Sequence, residues 1–338
     1  MTYDYCPKIG INGFGRIGFC VLRLCIKLNL PIVAVNASRS AEEIAYLFKY
    51  DTVHGFFDGT VEWADDEIII NDYTHIRLTH ERDPEKIPWK DLGVEYVVEC
   101  TGKFLTQETA SAHLRAGAKK VILSAPPKDD TPMFVMGVND EVYDPKMDIV
   151  SNASCTTNCL APLAMIINDA FGIEYGLMTT IHAMTSKQNT VDGYNAKDPR
   201  IARAGSNIIP STTGAAKSVG KVIPELDGKL TGISMRVPVM DASVVDLSVI
   251  LTHGTTYEDV CKAVKEASEG YMKDIVGYCD GPVVSSDFIG NLCTCNFDAG
   301  AGLAISPKFM KLVAWYDNEM AYVFQLIRLI RYMGYLDF

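Results

Sequence analysis

No apolar run in this 338-residue chain approaches the 18 residues that a membrane-spanning helix needs, so none reads as one. No block of Lys or Arg stands out either, and the formal net charge is −11. That balance excludes a dedicated nucleic-acid binder, though a local basic pocket remains compatible with it. Ten cysteines are present, but no CxxC pair with zinc spacing occurs among them. Cys155 and Cys159 are one helical turn apart, and Cys293 and Cys295 are too close for an ordinary zinc clip, so no metal site is expected. The short polar start Met1 to Pro7 predicts no signal peptide, and a chain of this size is no disulfide scaffold. Both point to reduced thiols in the cytoplasm. No internal repeat or low-complexity segment appears. What is there is an ordinary globular composition, 48% hydrophobic and 22% charged, on a length that suggests two domains.

The first ~150 residues alternate short β-rich runs with helical stretches. Strands are predicted at 8–12, 31–36, 95–100 and 120–124, and helices at 15–28, 41–48 and 106–116. A hairpin is predicted over 67–79, turning at Asp72 and Tyr73. That order implies a parallel, doubly wound sheet. The second half differs. Strands are predicted at 177–182, 232–239, 243–251 and 311–315, with a helix at 257–269 opened by the start signal Thr256-Tyr257-Glu258-Asp259. This reads as an antiparallel sheet with helices on one face, an α+β domain. A polar loop over 185–207 looks structureless, and long loops of that kind are usually functional. A final amphipathic helix is predicted over 319–332.

Gly13-Phe14-Gly15-Arg16-Ile17-Gly18 is a GxGxxG between a strand and a helix. In that context Gly13 permits the tight turn, Gly15 lets a pyrophosphate approach the backbone, and Gly18 lets helix and strand pack closely. The helix N-terminus then holds the phosphates. The next strand should end in an acid for the adenosine ribose, but it runs Val35-Asn36-Ala37-Ser38-Arg39. Ala37 neither binds a ribose hydroxyl nor repels a 2′-phosphate, while Ser38 and Arg39 can donate to one. NADP acceptance is therefore expected beside NAD, with a merely solvated Arg39 as the alternative.

Cys155 lies in Ser151-Asn152-Ala153-Ser154-Cys155-Thr156-Thr157-Asn158-Cys159, where small hydroxyl and amide neighbours leave a thiol accessible. The apolar run 160–167 after it reads as a helix, which places Cys155 at a helix N-terminus, where the backbone dipole favours a thiolate. The competing reading is a buried structural cysteine. A thiolate nucleophile wants a base. Of the six histidines, His182 closes a predicted strand at the mouth of the long loop, and the other five have surface or packing explanations.

Ile11 to Gly18, Ser151 to Pro162, Ser211 to Lys217, Lys229 to Gly232 with Arg236 to Pro238, and Trp315 to Glu319 together make the chain resemble the phosphorylating glyceraldehyde-3-phosphate dehydrogenases along essentially its whole length. The resemblance implies a Rossmann domain over 1–154, joined by a C-terminal helix over 316–338, and an α+β catalytic domain with a mainly antiparallel sheet over 155–315. It implies that Cys155 is the nucleophile and His182 its base. Thr185 and Arg236 match residues that hold the substrate's C3 phosphate, and Ser154, Thr156, Thr213 and Gly214 match the inorganic-phosphate site. Asn318 matches the residue that orients the nicotinamide amide, with Tyr322 beside it. Asn12, Gly13, Gly15, Arg16, Ile17, Gly18, Asn36, Ala37, Ser38, Arg39, Thr101 and Ser124 fall on cofactor positions. Such a site oxidises an aldehyde through a hemithioacetal and a thioester, and an imidazolium beside Cys155 is expected to lower the thiol pKa. A homotetramer is implied as well.

The chain departs from the family pattern at Ala37, at Tyr194, where NAD-specific members often carry Pro, and at Lys187 and Met320-Ala321. Arg200 and Arg203 match no assigned role. Two rivals remain: a relative acting on another aldehyde, such as erythrose 4-phosphate, and a non-catalytic sensor that kept the fold.

Overall fold

A computed structural model describes residues 5–186, 188–196 and 198–337. Lys187, whose cation is one of the departures above, lies outside them. The chain divides into two units. One comprises 1–134, 141–153 and 323–338, and the other comprises 135–140 and 154–322.

In the first unit, β1 (Ile9–Asn12), α1 (Arg16–Lys27), β2 (Ile32–Asn36) and α2 (Ala41–Lys49) follow one another. After them come β3 (Val61–Ala64), β4 (Glu67–Ile70), β5 (Thr74–Thr79), β6 (Tyr96–Glu99), α3 (Gln107–Arg115), β7 (Lys120–Leu123) and β8 (Ile149–Ser151). The sheet order is β3-β4-β5-β2-β1-β6-β7-β8, parallel from β5 to β8 and closed by the antiparallel β3-β4-β5 edge. β1, β6 and β7 are buried at every position, as strands covered on both faces must be. The helix starts follow local chemistry. Ser40 and Glu43 form a capping box on α2, and Thr106 caps α3. β3 and β8 were not expected from the sequence, being short and weakly patterned.

The second unit opens with α4 (Cys155–Phe171) and β9 (Ile173–His182), then β10 (Ile209–Thr212), α5 (Ala215–Val222), β11 (Leu230–Arg236), β12 (Ser243–Leu251) and α6 (Tyr257–Glu269). β13 (Val276–Cys279), β14 (Cys295–Asp298), β15 (Leu303–Ser306) and β16 (Phe309–Tyr316) follow, and α7 (Met320–Asp337) starts here and continues into the first unit. The sheet order is β10-β11-β9-β12-β16-β14-β13. It is mainly antiparallel, as expected, with β9–β11 and β13–β14 running parallel. Pairing between distant segments sets strand direction, and alternation within one strand does not report it.

α4 packs on β9, β12, β14 and β16 through an almost wholly buried apolar surface. Its interior Pro162 removes one N–H, a loss that the tight packing on the sheet outweighs. The long loop is not structureless. It carries a 3₁₀ turn at Pro199–Ala202 and folds back on itself, with Gly193 N–H donating to Ala202 O at 2.9 Å and Ala204 N–H to Asn189 O at 2.8 Å. Such self-closure satisfies backbone groups that an open loop would leave to water.

Candidate active site

The glycine turn of the first unit has the shape that phosphate binding needs. Gly13 sits at φ +100°, where a side chain would be strained and would strike Thr101. A Cβ on Gly18 would lie 2.1 Å from Gly13 O, so α1 can approach β1 only with glycine here. Gly15 caps α1 with nothing within 4 Å of its Cβ position, and the first turn of α1 carries no acid. An open helix N-terminus without a repelling carboxylate suits a pyrophosphate. Gly18→Ala is expected to cost about 3 kcal/mol or more, since the obstruction is backbone that cannot rotate aside. A thermal melting midpoint indistinguishable from the parent's would refute it.

Several expected cofactor residues turn out to support this turn. Asn36 is saturated: its Nδ2 donates to Asn12 Oδ1 at 2.8 Å and to Glu81 O at 2.8 Å, and its Oδ1 accepts from Thr79 Oγ1 at 2.8 Å and Glu81 N–H at 2.9 Å. Asn12 Nδ2 donates to the fully buried Glu99 at 2.6 Å, and Thr101 N–H donates to the same carboxylate at 2.7 Å. Trp89 Nε1–H donates to His113 Nδ1 at 3.0 Å, which leaves Nε2–H of His113 to donate to Glu99 at 3.1 Å. Glu99 went unread in the sequence, because a buried acid looks like any other until its partners are known, and His113 was placed only among the histidines with surface or packing explanations. Arg16 forms an ion pair with Asp51, Ile17 is half-buried in α1, and Ser124 Oγ–H donates to Glu99 O at 2.8 Å. Ala37 is buried at the end of β2, and Ser38 beside it is exposed. Arg39 Nη1–H donates to Phe14 O at 3.0 Å, so its guanidinium is fastened to the glycine turn rather than simply solvated.

In the second unit, Ser154 caps α4 by accepting from Thr157 N–H at 3.0 Å, and Cys155 is the first helical residue. Its Sγ lies 3.5 Å from His182 Nε2. His182 ends β9, and the parallel β9–β11 register sets Arg236 directly beside it. Arg236 Nη1 stands 2.5 Å from His182 Nδ1 and 3.1 Å from Ala183 O. Thr156 Oγ1 is bonded to Tyr316 Oη at 2.8 Å, and Thr180 Oγ1 reaches the same oxygen at 2.9 Å. Tyr316 is fully buried, and its ring meets that of His182 edge-on at 6.1 Å. The tyrosine sits inside the sequence segment Trp315 to Glu319, yet nothing in that segment foretold its place under the histidine.

The electrostatics correct one expectation. Burial, and secondarily the Arg236 charge, push the His182 pKa down to about 3, so the ring is a neutral imidazole rather than an imidazolium. Burial likewise raises the Cys155 thiol above its ordinary value, opposed first by Arg236 and then by hydrogen bonds from Thr156. The charge that favours the thiolate is thus that of the Arg236 guanidinium.

Asn318 is buried, and its Oδ1 accepts from Ser243 Oγ–H at 2.6 Å, which fixes the amide with its NH₂ pointing away from the serine. Ser243 also accepts from Ala183 N–H at 3.0 Å, so this unforeseen residue ties the strand end at His182 to Asn318. Tyr322 is buried in α7. Thr213 Oγ1 accepts from Ala215 N–H at 3.2 Å, and Gly214, the residue capping α5, has open space around it. Thr185 N–H is held by Gln188 Oε1 at 2.9 Å. The structure gathers Cys155, His182 and Arg236. Tyr194 is exposed, Arg200 pairs with Asp198 at 3.0 Å, and Arg203 pairs with Asp192 at 3.6 Å.

Two family models match the chain. One is the glyceraldehyde 3-phosphate dehydrogenase NAD binding domain over residues 7–107, and the other is the C-terminal domain of the same family over 154–318. Over 334 residues the chain is 56% identical to glyceraldehyde-3-phosphate dehydrogenase 1 of Schizosaccharomyces pombe, covering 98% of this chain and 99% of that protein. It is 57% identical to the glyceraldehyde-3-phosphate dehydrogenase of Salmonella typhimurium over 97% of this chain and 99% of that one. Against glyceraldehyde-3-phosphate dehydrogenase A of Escherichia coli K12 the figures are 56%, 97% and 99%.

Proposed function

Because the chain belongs to the glyceraldehyde 3-phosphate dehydrogenase family, we propose that Cys155, His182 and Arg236 form the centre at which it oxidises and phosphorylates glyceraldehyde 3-phosphate in glycolysis. The observation that carries the reading is Sγ of Cys155 within 3.5 Å of His182 Nε2 at a capped helix N-terminus. Cys155 sulfur adds to the aldehyde carbon and forms a hemithioacetal. His182 takes the proton of the new hydroxyl as that carbon is oxidised to a thioester. Bound NAD supplies the hydride acceptor, and the glycine turn over Gly13 to Gly18 has the open helix end to hold its pyrophosphate. Inorganic phosphate then attacks the thioester carbonyl and releases the acyl phosphate and the Cys155 sulfur.

The anionic groups of the substrates need donors close to that carbon. Arg236, Thr185 and the open Gly214 end of α5 supply them, with Thr213 shaping the turn. Ser154 and Thr156 contribute less directly, since the Ser154 hydroxyl caps α4 and that of Thr156 is engaged with Tyr316. Asn318 donates its NH₂ to the nicotinamide amide because Ser243 holds its other end. Ser243→Ala strands the Ala183 N–H and frees the Asn318 amide to rotate. It is expected to weaken NAD binding about tenfold, from roughly 1–2 kcal/mol of lost hydrogen bonding. Equilibrium titration of NAD would contradict this if the affinity were unchanged.

NADP acceptance rests on Ala37 in place of an acid and on Arg39 held at the glycine turn. Ala37→Asp should cut the rate with NADP relative to NAD at least about tenfold, by setting a carboxylate against the 2′-phosphate. A ratio unmoved by the substitution counts against the reading. The homotetramer is supported by the outward face of the second sheet, where Tyr175, Leu177, Ile233 and Phe309 are exposed. A cytoplasmic location is supported by ten free cysteines. No helix among the described residues is long and apolar enough to cross a membrane. The decisive assay follows reduced cofactor with glyceraldehyde 3-phosphate, with and without phosphate or arsenate. Absence of signal would remove this reading, and preference for erythrose 4-phosphate would redirect it.

A further inference from the structure

Asn12, Asn36, Thr79 and Glu99 are the last residues of β1, β2, β5 and β6. The parallel register sets them side by side: Asn12 lies opposite Glu99 on one side and Asn36 on the other, and Asn36 lies opposite Thr79. Their side chains are bonded along the whole row. Thr79 Oγ1 donates to Asn36 Oδ1 at 2.8 Å, Asn36 Nδ2 to Asn12 Oδ1 at 2.8 Å, and Asn12 Nδ2 to Glu99 at 2.6 Å. The row runs along the carboxyl edge of the sheet, where an open α/β fold takes a dinucleotide, and Gly13 follows Asn12 directly.

The row has one possible sense. Glu81 N–H donates to Asn36 Oδ1 at 2.9 Å and Glu81 O accepts from Asn36 Nδ2 at 2.8 Å, so backbone groups prevent that amide from turning round. Asn36 therefore offers N–H to Asn12, and Asn12 must turn its own NH₂ to Glu99. From the other side, Trp89 Nε1 can only donate, so the neutral His113 ring keeps its lone pair on Nδ1 and points Nε2–H at Glu99, 3.1 Å away. Thr101 N–H donates to the carboxylate at 2.7 Å. The Thr101 hydroxyl accepts from Lys103 N–H at 3.1 Å and gives its own proton to Glu99. Asn12 and His113 thus converge on one carboxylate oxygen, and the two Thr101 donors converge on the other. A carboxylate has lone pairs for all of them. A glutamine would set its NH₂ against two donors whichever way it turned, and none of those donors can reverse to receive it.

We propose that Glu99 is a positioning residue for the dinucleotide: its carboxylate fixes Asn12 and Thr101 together and so holds the glycine turn in the shape that receives a pyrophosphate. The two turns touch, since a Cβ on Gly13 would lie 2.9 Å from Thr101 N, and a shift in one displaces the other. The inference rests on the glycine-turn reading above and adds to it a residue that is fully buried and so does not meet the cofactor itself. Affinity for the dinucleotide then depends on the number of lone pairs beneath the turn as well as on the groups that line it.

The test is calorimetric titration of full-length variants with NAD, beside thermal melting and steady-state rates. Glu99→Gln keeps the shape and removes the charge. It is expected to weaken NAD binding at least about tenfold, with the loss in KM for NAD rather than in kcat at saturating NAD, because Cys155 and His182 belong to the other unit. Asn12→Asp alone sets a second carboxylate 2.6 Å from the first and should weaken binding as well. Combining the two substitutions moves the charge one place along the row. The new carboxylate at position 12 accepts from Asn36, from the new amide at position 99, and from His113 Nε2–H, whose nitrogen stands 3.4 Å from Asn12 Nδ2 in the parent. The amide oxygen at position 99 still serves Thr101, so every donor is met again. The double variant should bind NAD within about threefold of the parent, whereas two substitutions that merely loosened the core would add their losses. A double variant no better than Glu99→Gln overturns the proposal, as does NAD affinity left unchanged by Glu99→Gln. If neither single variant folds, the double variant decides alone, because its donors are all satisfied and it must fold and bind. Gly15→Asp tests the underlying reading, since a carboxylate at the open start of α1 should abolish NAD binding. If it does so while Glu99→Gln binds normally, only the positioning role fails. If Gly15→Asp binds NAD as the parent does, the glycine-turn reading itself fails.

Discussion

Cys155→Ser should lower turnover of glyceraldehyde 3-phosphate by roughly 10⁴-fold or more while leaving the fold intact. The substitution is nearly isosteric, and the residue is the first of α4, so the Ser154 cap that organises the helix start is untouched. What changes is the nucleophile. A hydroxyl ionises far less readily than a thiol, and the ester it would form is a poorer acyl donor than a thioester. The environment sharpens the contrast, because burial already opposes the charged form of this side chain, and Arg236 and Thr156 only partly offset it. Alkylation of the wild-type thiol should therefore climb with pH through the ordinary thiol range and beyond. Circular dichroism alongside steady-state rates checks the first statement, and a Cys155→Ser enzyme of parental rate would end the covalent mechanism.

His182→Asn is expected to lose about 10²- to 10⁴-fold in turnover, the usual worth of a placed general base. It should also change how stability depends on pH. The native ring holds its pKa near 3, against 6.5 for the unfolded chain, so the unfolded state binds the extra proton first as pH falls. Stability contributed by the neutral ring is whole above pH 6.5 and is lost progressively between 6.5 and 3, at up to about 1.4 kcal/mol per pH unit. Asparagine does not titrate, so the variant should show a shallower loss over that window. Urea unfolding at several pH values measures the slope. An unaltered slope would show that His182 is not held neutral.

The local elements were largely legible. The GxGxxG turn, α6 over Tyr257–Glu269 with its Thr256 start, and the helix start at Cys155 all depend on interactions within a few residues, which sequence spacing reports directly. β8, β13 and β14 escaped because their identity comes from partners far away in the chain. The Cys155 and His182 pair was legible through local signals too: a cysteine among small polar residues and a histidine closing a strand.

What the sequence by itself determined is the chemical inventory: a cysteine at a helix end, a histidine at a strand end, a glycine turn, and no acid at Ala37. What only the tertiary structure decided is the ionisation and aim of those groups. The β9–β11 register puts Arg236 on the His182 ring, fifty-four residues away in sequence. Ser243 fixes the Asn318 amide, and the Tyr316 ring packs edge-on against that of His182. Burial then makes the ring neutral and the thiol reluctant. Desolvation and long-range register are properties of an assembled environment, set by which distant segments exclude water together, so no pattern within one segment records them.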